Sequence, residues 1–418
     1  QSKETGAAYL ALCAGRDPPV KPLPTLGGKE IVLAVTGSIA AVETVRLAHA
    51  LRRKGAGVQA VMSPAACRII HPEALTYATG RTAITGISGL VEHVAWCGDG
   101  GCADLLLIAP ATANTLCKMA AGIDDTPVTT FATTALGRGM PVVVVPAMHE
   151  AMLRHPGVAG CLATLASWGV SVVGPRIEES KAKIADIDDI VLQCERDLMG
   201  KPLEGRHVLI TSGPCREPVD DVRILTTRST GMMGEAMARH AFRLGARVTM
   251  VHQGSLPFAR NVHASTAGEM REAVHRICRS EKVDCYLSAA AVSDFAPERF
   301  AGKIQSGSPV TLSLRPLPKL IDEVVREYGV PAVAFKVGTA GEGPAGEMLA
   351  RGIGLVAVNP PEAMGSPESH VVLVGRDGFR KEAAGSKEEV AAAIWAAVLE
   401  LQLPSGVLGP SAQQDKFT

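Results

Sequence analysis

The sequence predicts an α/β protein built from two doubly wound, Rossmann-like domains, and three observations carry that prediction. Short apolar runs recur along the chain, most of them followed by a helix-patterned segment, and such alternation with short connections favours parallel sheets. Aromatic residues are only 4% of the chain while glycines number 43, a leanness that suits tight strand-to-helix turns. At 418 residues the chain is too long for one ordinary domain and comfortable for two of about 200.

Residues 1–28 read as an arm that ends in the proline-rich Asp17-Pro-Pro-Val-Lys-Pro-Leu-Pro24. The first domain is expected over 29–200. Its first strand is at 30–36, followed by Gly37 and Ser38 and a helix reaching Arg53. Further strands are expected at 58–62, 105–109, 142–145 and 171–173. The stretch 198–205, with its glycines and Pro202, reads as a linker. The second domain is expected over 201–402 and repeats the opening design: a strand at 207–211 runs into Ser212-Gly213-Pro214. Strands at 248–251, 285–288, 332–335, 355–357 and 371–374 follow, with helical patterns at 268–280 and 387–402. Both sheets are expected to be parallel. Residues 403–418 read as a flexible tail.

Composition excludes several classes. Basic and acidic residues cancel, 42 against 42, so no polycationic surface announces a nucleic-acid or membrane partner. The apolar run 105–109 stops at Pro110, well short of a membrane span. The ten cysteines are scattered and no signal peptide is apparent, so reduced thiols and a cytoplasmic location are expected. Cys97 and Cys102 have no second Cys or His pair at a suitable distance, which argues against a zinc site.

Three loops in the first half follow strands. Thr36-Gly-Ser-Ile-Ala-Ala41 suits a phosphate, through small residues, the Ser38 hydroxyl and a helix N-terminus, or is simply a tight turn. It is not the dinucleotide fingerprint. In Ala109-Pro-Ala-Thr-Ala-Asn-Thr115, Thr112 or Asn114 binds a ligand or caps a helix. The third loop is Val145-Pro-Ala-Met-His-Glu-Ala-Met152.

Taken in order, these loops resemble the flavin-dependent cysteine decarboxylases over roughly residues 29–199. The resemblance implies a flavodoxin-like flavoprotein domain with FMN at a subunit interface. Gly37, Ser38, Ile39, Ser63, Thr112 and Asn114 would hold the cofactor. It makes His93, in Val91-Glu-His-Val-Ala-Trp-Cys97, the catalytic acid/base, since an imidazole both takes and gives a proton near neutral pH. The implied chemistry oxidises the thiol-bearing carbon, so that the carboxylate lies β to an electron-poor C=S and CO2 leaves. Met152 would pack over the substrate. His149 stands where the family carries a carboxylate-gripping asparagine, as in an archaeal-type branch; an imidazole also donates to a carboxylate. Glu178-Glu-Ser-Lys-Ala-Lys-Ile184 replaces the family's cysteine-bearing flap. Lys181 or Lys183 then returns the proton, binds substrate phosphate, or belongs to a solvated charge run.

In the second half, Thr211-Ser-Gly-Pro-Cys-Arg-Glu-Pro-Val-Asp-Asp-Val-Arg223 precedes Ser229-Thr-Gly-Met-Met-Gly234, a glycine-bearing turn before a helix that suits a phosphate. With Ser288-Ala-Ala-Ala-Val-Ser-Asp-Phe295 and Gly302-Lys-Ile304, these blocks resemble the phosphopantothenate–cysteine ligases. The resemblance implies nucleotide contacts at Ser229, Gly231, Ser288, Ala289, Ala290, Asp294, Lys303, Pro318, Lys319, Leu320, Ile321, Phe335 and Arg351. Lys303 would face the CTP phosphates, a point-charge task suited to an ammonium, with Mg2+ screening charge. Departures are Thr227, where an asparagine holds the intermediate's carbonyl, Met232 for a usual lysine, Glu347 at a frequently basic position, and Val358-Asn-Pro360.

The combined resemblance is to bifunctional enzymes of coenzyme A synthesis. It implies 4'-phosphopantothenate, cysteine and CTP as substrates and FMN as cofactor. It also implies a homo-oligomer, with decarboxylase trimers grouped into a dodecamer and ligase dimers. A rival reading keeps the decarboxylase but leaves the second half a nucleotide-binding or assembly module.

Overall fold

The computed structural model describes residues 23–403 except 175, 179–180, 308, 339–341, 361–365 and 367; for 176–178, 181–183 and 342 it describes the backbone alone. The expected arm up to residue 22 and the tail from 404 lie outside the described residues. The end of the arm is not free, however. Leu26 is fully buried in the first core, and the Thr25 hydroxyl donates to Glu195.

Five parallel strands form the first sheet: β1 (Glu30–Val35), β2 (Gly57–Met62), β3 (Leu105–Ala111), β4 (Val142–Pro146) and β5 (Ser171–Val172). Their spatial order is β2-β1-β3-β4-β5, the flavodoxin-like arrangement whose switch point lies between β1 and β3. Near-continuous apolar sequence is what a strand covered on both faces requires. Ile31, Leu33 and Val35 enter one core while Val32 and Ala34 enter the other. The helix Thr44–Arg53 covers the first face through Leu47, Ala48 and Leu51, at helical spacing. β6 (Arg176–Glu178) and β7 (Lys181–Lys183) form a separate antiparallel ribbon.

The second sheet holds eight strands. β8 (His207–Thr211), β11 (Arg247–His252), β12 (Arg260–His263), β13 (Cys285–Ser288), β16 (Ala332–Val337) and β17 (Leu355–Asn359) are parallel, in the order β12-β11-β8-β13-β16-β17. β18 (Glu368–Gly375) and β19 (Arg380–Ser386) complete the edge antiparallel, which corrects the expectation of a wholly parallel sheet. Asp377 and Gly378, both at positive φ, turn the chain back within a few residues; a parallel neighbour needs a long crossover. Two short ribbons project beside this sheet, β9 (Arg216–Pro218) with β10 (Ile224–Thr226) and β14 (Phe295–Pro297) with β15 (Leu314–Pro316). The expected linker is packed rather than loose: Leu203 is buried in the second core and its amide donates to Leu244.

The helices Ile187–Leu198 and Met232–Arg243 join the halves. Buried Glu195 and Arg243 pair, and Lys54 and Glu388 extend the cluster at 3.6 Å from Glu195 and 3.4 Å from Arg243. Arg196 donates to the carbonyls of Phe242, Gly245 and Ala246, satisfying the end of the second helix. His240 is buried one turn before Arg243, and its Nδ1 has no partner. Burial, with help from Arg243, pushes its imidazole down to about 4. A histidine held neutral in the fold stabilises it fully above the ordinary value of about 6.5. Stability should therefore fall by up to about 3 kcal/mol as pH drops from about 6.5 towards 4. Urea unfolding across that range should show the loss in the wild type and a flatter profile in His240→Leu.

Candidate active sites

The three first-half loops follow β1, β3 and β4, so all emerge beyond the carboxyl ends of the sheet beside its switch point. Thr36 ties two of them together: its hydroxyl donates to Pro110 at 2.6 Å and accepts from the Thr112 amide at 3.1 Å. A Cβ on Gly37 would lie 2.5 Å from that of Ala65, so only glycine lets β1 end against the turn after β2. Beyond this point opens a cavity of about 1000 Å³, large enough for a cofactor together with a substrate. Ser38, Ile39, His49, Met148 and His149 line it, and Arg46, Arg53, Asp186 and Asp188 add charge at its walls.

The remaining expected residues divide. Ser38 caps the short 3-10 helix Ile39–Glu43, accepting from Ala40 at 3.4 Å, and Ile39 is exposed. Ser63 and Thr112 cap the helices Pro64–Cys67 and Ala113–Ala120, accepting from Ala66 and Thr115. Asn114 is exposed. None of Ser63, Thr112, Asn114, Met152 and His93 lines the cavity of its own chain. His93 stands half-buried on the helix Glu92–Cys97, edge-on to Phe131, with its buried Nδ1 unpartnered. Lys181 and Lys183 fall on β7, and their side chains lie outside the described residues.

In the second half a smaller cavity, about 130 Å³, brings Ser229, Gly231, Ala289, Ala290 and Phe335 together. The helix Met232–Arg243 reaches it because Gly234 has no side chain; a Cβ there would lie 2.2 Å from Ser212 Oγ. Ser212 Oγ in turn donates to the Gly231 carbonyl at 3.1 Å. Ser288 ends β13 just before the cavity. Asp294 and Lys319 pair with each other at the surface, and Arg351 pairs with Asp322 at 3.3 Å. Pro318 is exposed, whereas Leu320 and Ile321 are core residues at the start of the helix Leu320–Tyr328. Their side chains pack in the core. Thr227 is half-buried and its Oγ1 has no partner.

Lys303 is exposed, on a loop clamped to the β9–β10 ribbon by buried Asp220. That carboxylate accepts from the amides of Val222, Arg223 and Ile304 and from the Arg223 guanidinium. Burial alone would raise its carboxyl, but these donors hold it far below the ordinary range.

A family model described as "Flavoprotein" matches residues 21–198, and one described as "DNA/pantothenate metabolism flavoprotein C-terminal domain" matches 203–401. The "Coenzyme A biosynthesis bifunctional protein CoaBC" of Thermococcus kodakarensis is 46% identical over 88% of this chain and 94% of its own. Proteins of that name from Methanocaldococcus jannaschii and Vibrio parahaemolyticus are 35% and 32% identical. They cover 72% and 90% of this chain, and 74% and 99% of their own lengths. The chain belongs to the CoaBC family. It is accordingly a bifunctional enzyme of coenzyme A biosynthesis, a flavoprotein decarboxylase joined to a ligase.

Within this CoaBC-family chain, several site residues escaped sequence reasoning. Arg46, His49 and Arg53 reach the large cavity from one face of a helix, a pattern that in sequence is only the polar side of an amphipathic stretch. Asn359 and Lys387 line the second cavity from β17 and from the first turn of the helix Lys387–Glu400. Lys387 has no sequence neighbour that marks it, whereas Asn359 stands in Val358-Asn-Pro360, marked in the sequence only as a departure from the ligase pattern. Among the described residues no group of three or more His, Cys, Asp and Glu side chains is placed to hold a metal, and no helix is long and apolar enough to cross a membrane.

Proposed function

We propose that the protein makes 4'-phosphopantetheine from 4'-phosphopantothenate in two steps. Residues 201–402 join the substrate to cysteine at the expense of CTP, and residues 29–200, with FMN, decarboxylate the phosphopantothenoylcysteine formed. The observation that carries this reading is the large cavity beyond β1 and β4, walled by Ser38, Met148 and His149 from two separate sequence motifs.

The close approach at Gly37, the Ser38 hydroxyl and the cavity's size fit FMN. When bound, FMN supplies the two-electron oxidation and its reversal. His149 donates to the substrate carboxylate, Met152 packs over the substrate, and Lys181 returns a proton to the product. His93 moves the proton at the reacting thiol-bearing centre, and its unpartnered Nδ1 is in keeping with that work. Since His93 and Asn114 do not line their own chain's cavity, a second copy supplies them, as trimers would. Exposed Ile39, Val42, Tyr77, Leu90 and Met152 furnish apolar surface for that contact. The nine described cysteines are all free thiols, which suits the cytoplasm.

In the ligase half, the substrate carboxylate attacks the α-phosphorus of CTP, releasing pyrophosphate and giving an acyl cytidylate; the cysteine amine then displaces CMP. The backbone of Ala289 and Ala290 reads cytosine, with Ser229, Gly231, Ser288 and Phe335 around the nucleotide. Asp294 and Lys319 meet it as a pair, Pro318, Leu320 and Ile321 through backbone, and Arg351 at the rim. Lys303 faces the phosphates, and the buried Thr227 hydroxyl holds the acyl carbonyl. Mg2+ would screen the charge of the CTP phosphates, a task for which this ion commonly needs few protein ligands. The ligase sheets pair as dimers. Purified protein should be yellow and release FMN on denaturation, identified by chromatography against FAD and nicotinamide standards. A colourless protein that FMN cannot reconstitute overturns the decarboxylase assignment.

A further inference from the structure

We propose that the end of the large cavity walled by Arg46, His49 and Arg53 is the subsite for the phosphate monoester of the decarboxylase substrate, with Arg53 as its cation. The inference rests on the decarboxylase reading above and deepens it. That reading gives the carboxylate end of phosphopantothenoylcysteine to His149 and leaves the phosphate end unassigned. The three residues stand at i, i+3 and i+7 of the helix Thr44–Arg53, so they share the face that lines the cavity. Their place along the helix separates this subsite from the cofactor turn. Ser38, Ile39, Met148 and His149 follow β1 and β4 and line the cavity at the carboxyl edge of the sheet. Because β1 and β2 are parallel, the helix between them returns the chain to the opposite edge, and Arg53 is its last residue. At the usual rise, ten residues carry its backbone about 15 Å from the helix start. The substrate has the matching length. About twelve bonds separate its carboxylate carbon from its phosphorus, as many as in four residues of chain, and extended these span roughly 14 Å.

The charge at this end is available. Arg46 is paired with Glu43 at 3.0 Å, but exposed Arg53 makes no hydrogen bond or ion pair among the described residues. Its planar guanidinium offers a fork of donors that fits phosphate oxygens. Half-buried His49 stands one turn before it, its ring edge-on to Tyr77 with 6.3 Å between centroids, and adds a ring nitrogen on the same face. The other acidic groups of the wall, Asp186 and Asp188, belong to the cap and first turn of the helix Ile187–Leu198, where the helix dipole offsets negative charge. Ile184, Ile187 and Ile190 line the wall as well and suit the dimethyl carbon of the pantothenoyl arm.

The test measures decarboxylation of phosphopantothenoylcysteine and of pantothenoylcysteine, which lacks the phosphate, by the full-length protein with FMN bound. Wild type should show the lower KM for the phosphorylated substrate. Arg53→Met should raise that KM about tenfold, the loss expected for one charge-assisted contact, with kcat little changed. Arg53→Glu should raise it further, because a like charge then faces the phosphate. The KM for pantothenoylcysteine should move far less, so the preference between the two substrates collapses. FMN content and pyrophosphate release by the ligase half should match wild type in both variants, which also reports correct folding. No preference in wild type, unchanged preference in both variants, or equal effects on both substrates overturns the proposal. A preference lost in Lys183→Met and kept in Arg53→Met overturns it as well, by placing the phosphate at the β6–β7 ribbon. Failure of the decarboxylase reading is seen separately, as a wild type that binds FMN and releases no CO2 from either substrate.

Discussion

Replacing His93 with asparagine should lower CO2 release from phosphopantothenoylcysteine by about two to four orders of magnitude while flavin stays bound, the range expected for a lost general acid/base. Asparagine keeps a polar side chain against Phe131 but cannot shuttle a proton at neutral pH. The buried Nδ1 without a partner, on a half-buried ring beside Phe131, leaves a ring nitrogen open for that proton. Turnover and the flavin spectrum of the purified variant check both halves of the expectation. Because His93 does not line its own chain's cavity, a mixed oligomer of His93→Asn with a variant blocked at the cavity, such as His149→Leu, should regain activity. Unchanged turnover in His93→Asn removes this residue from the catalytic set.

Lys303→Gln should slow pyrophosphate release by about a hundredfold or more, because losing one electrostatic contact to a transition state costs a few kcal/mol. Decarboxylation of supplied phosphopantothenoylcysteine should continue, since the two sites sit on separate cores and distant effects are nearly additive. The Asp220 clamp holds the loop, so the effect reports the missing charge rather than a loosened segment. Thr227→Asn should act in the opposite direction if the shorter hydroxyl limits the wild type. Pyrophosphate release that appears only in Thr227→Asn would mark a decayed ligase.

Much of the fold was legible because buried parallel strands leave near-continuous apolar runs. β1, β3 and β8 stand out for this reason. β19 did not, because Arg380-Lys-Glu-Ala-Ala-Gly-Ser386 is an edge strand with one exposed side, and its residues carry no apolar run. The ribbons β9–β10 and β14–β15 are equally silent: three residues apiece give too little sequence for a period to show. In the candidate sites, motif residues within one loop were readable, as with Ser38 or Ser229 and Gly231. Leu320 and Ile321 were singled out by the resemblance alone, and only packing shows that their side chains belong to the core.

The sequence by itself determined the two-domain α/β plan, the loops at the strand ends and the family resemblance, since each depends on residues near one another in the chain. Tertiary structure alone decided which distant residues share a site. It set Lys387 beside Gly231, Asp220 under the Lys303 loop, and Lys54 and Glu388 at one interdomain cluster. It also kept His93 out of its own chain's cavity. The physical reason is that periodicity and turn chemistry are local, whereas a charge acquires its role from what burial and packing place within a few ångströms of it.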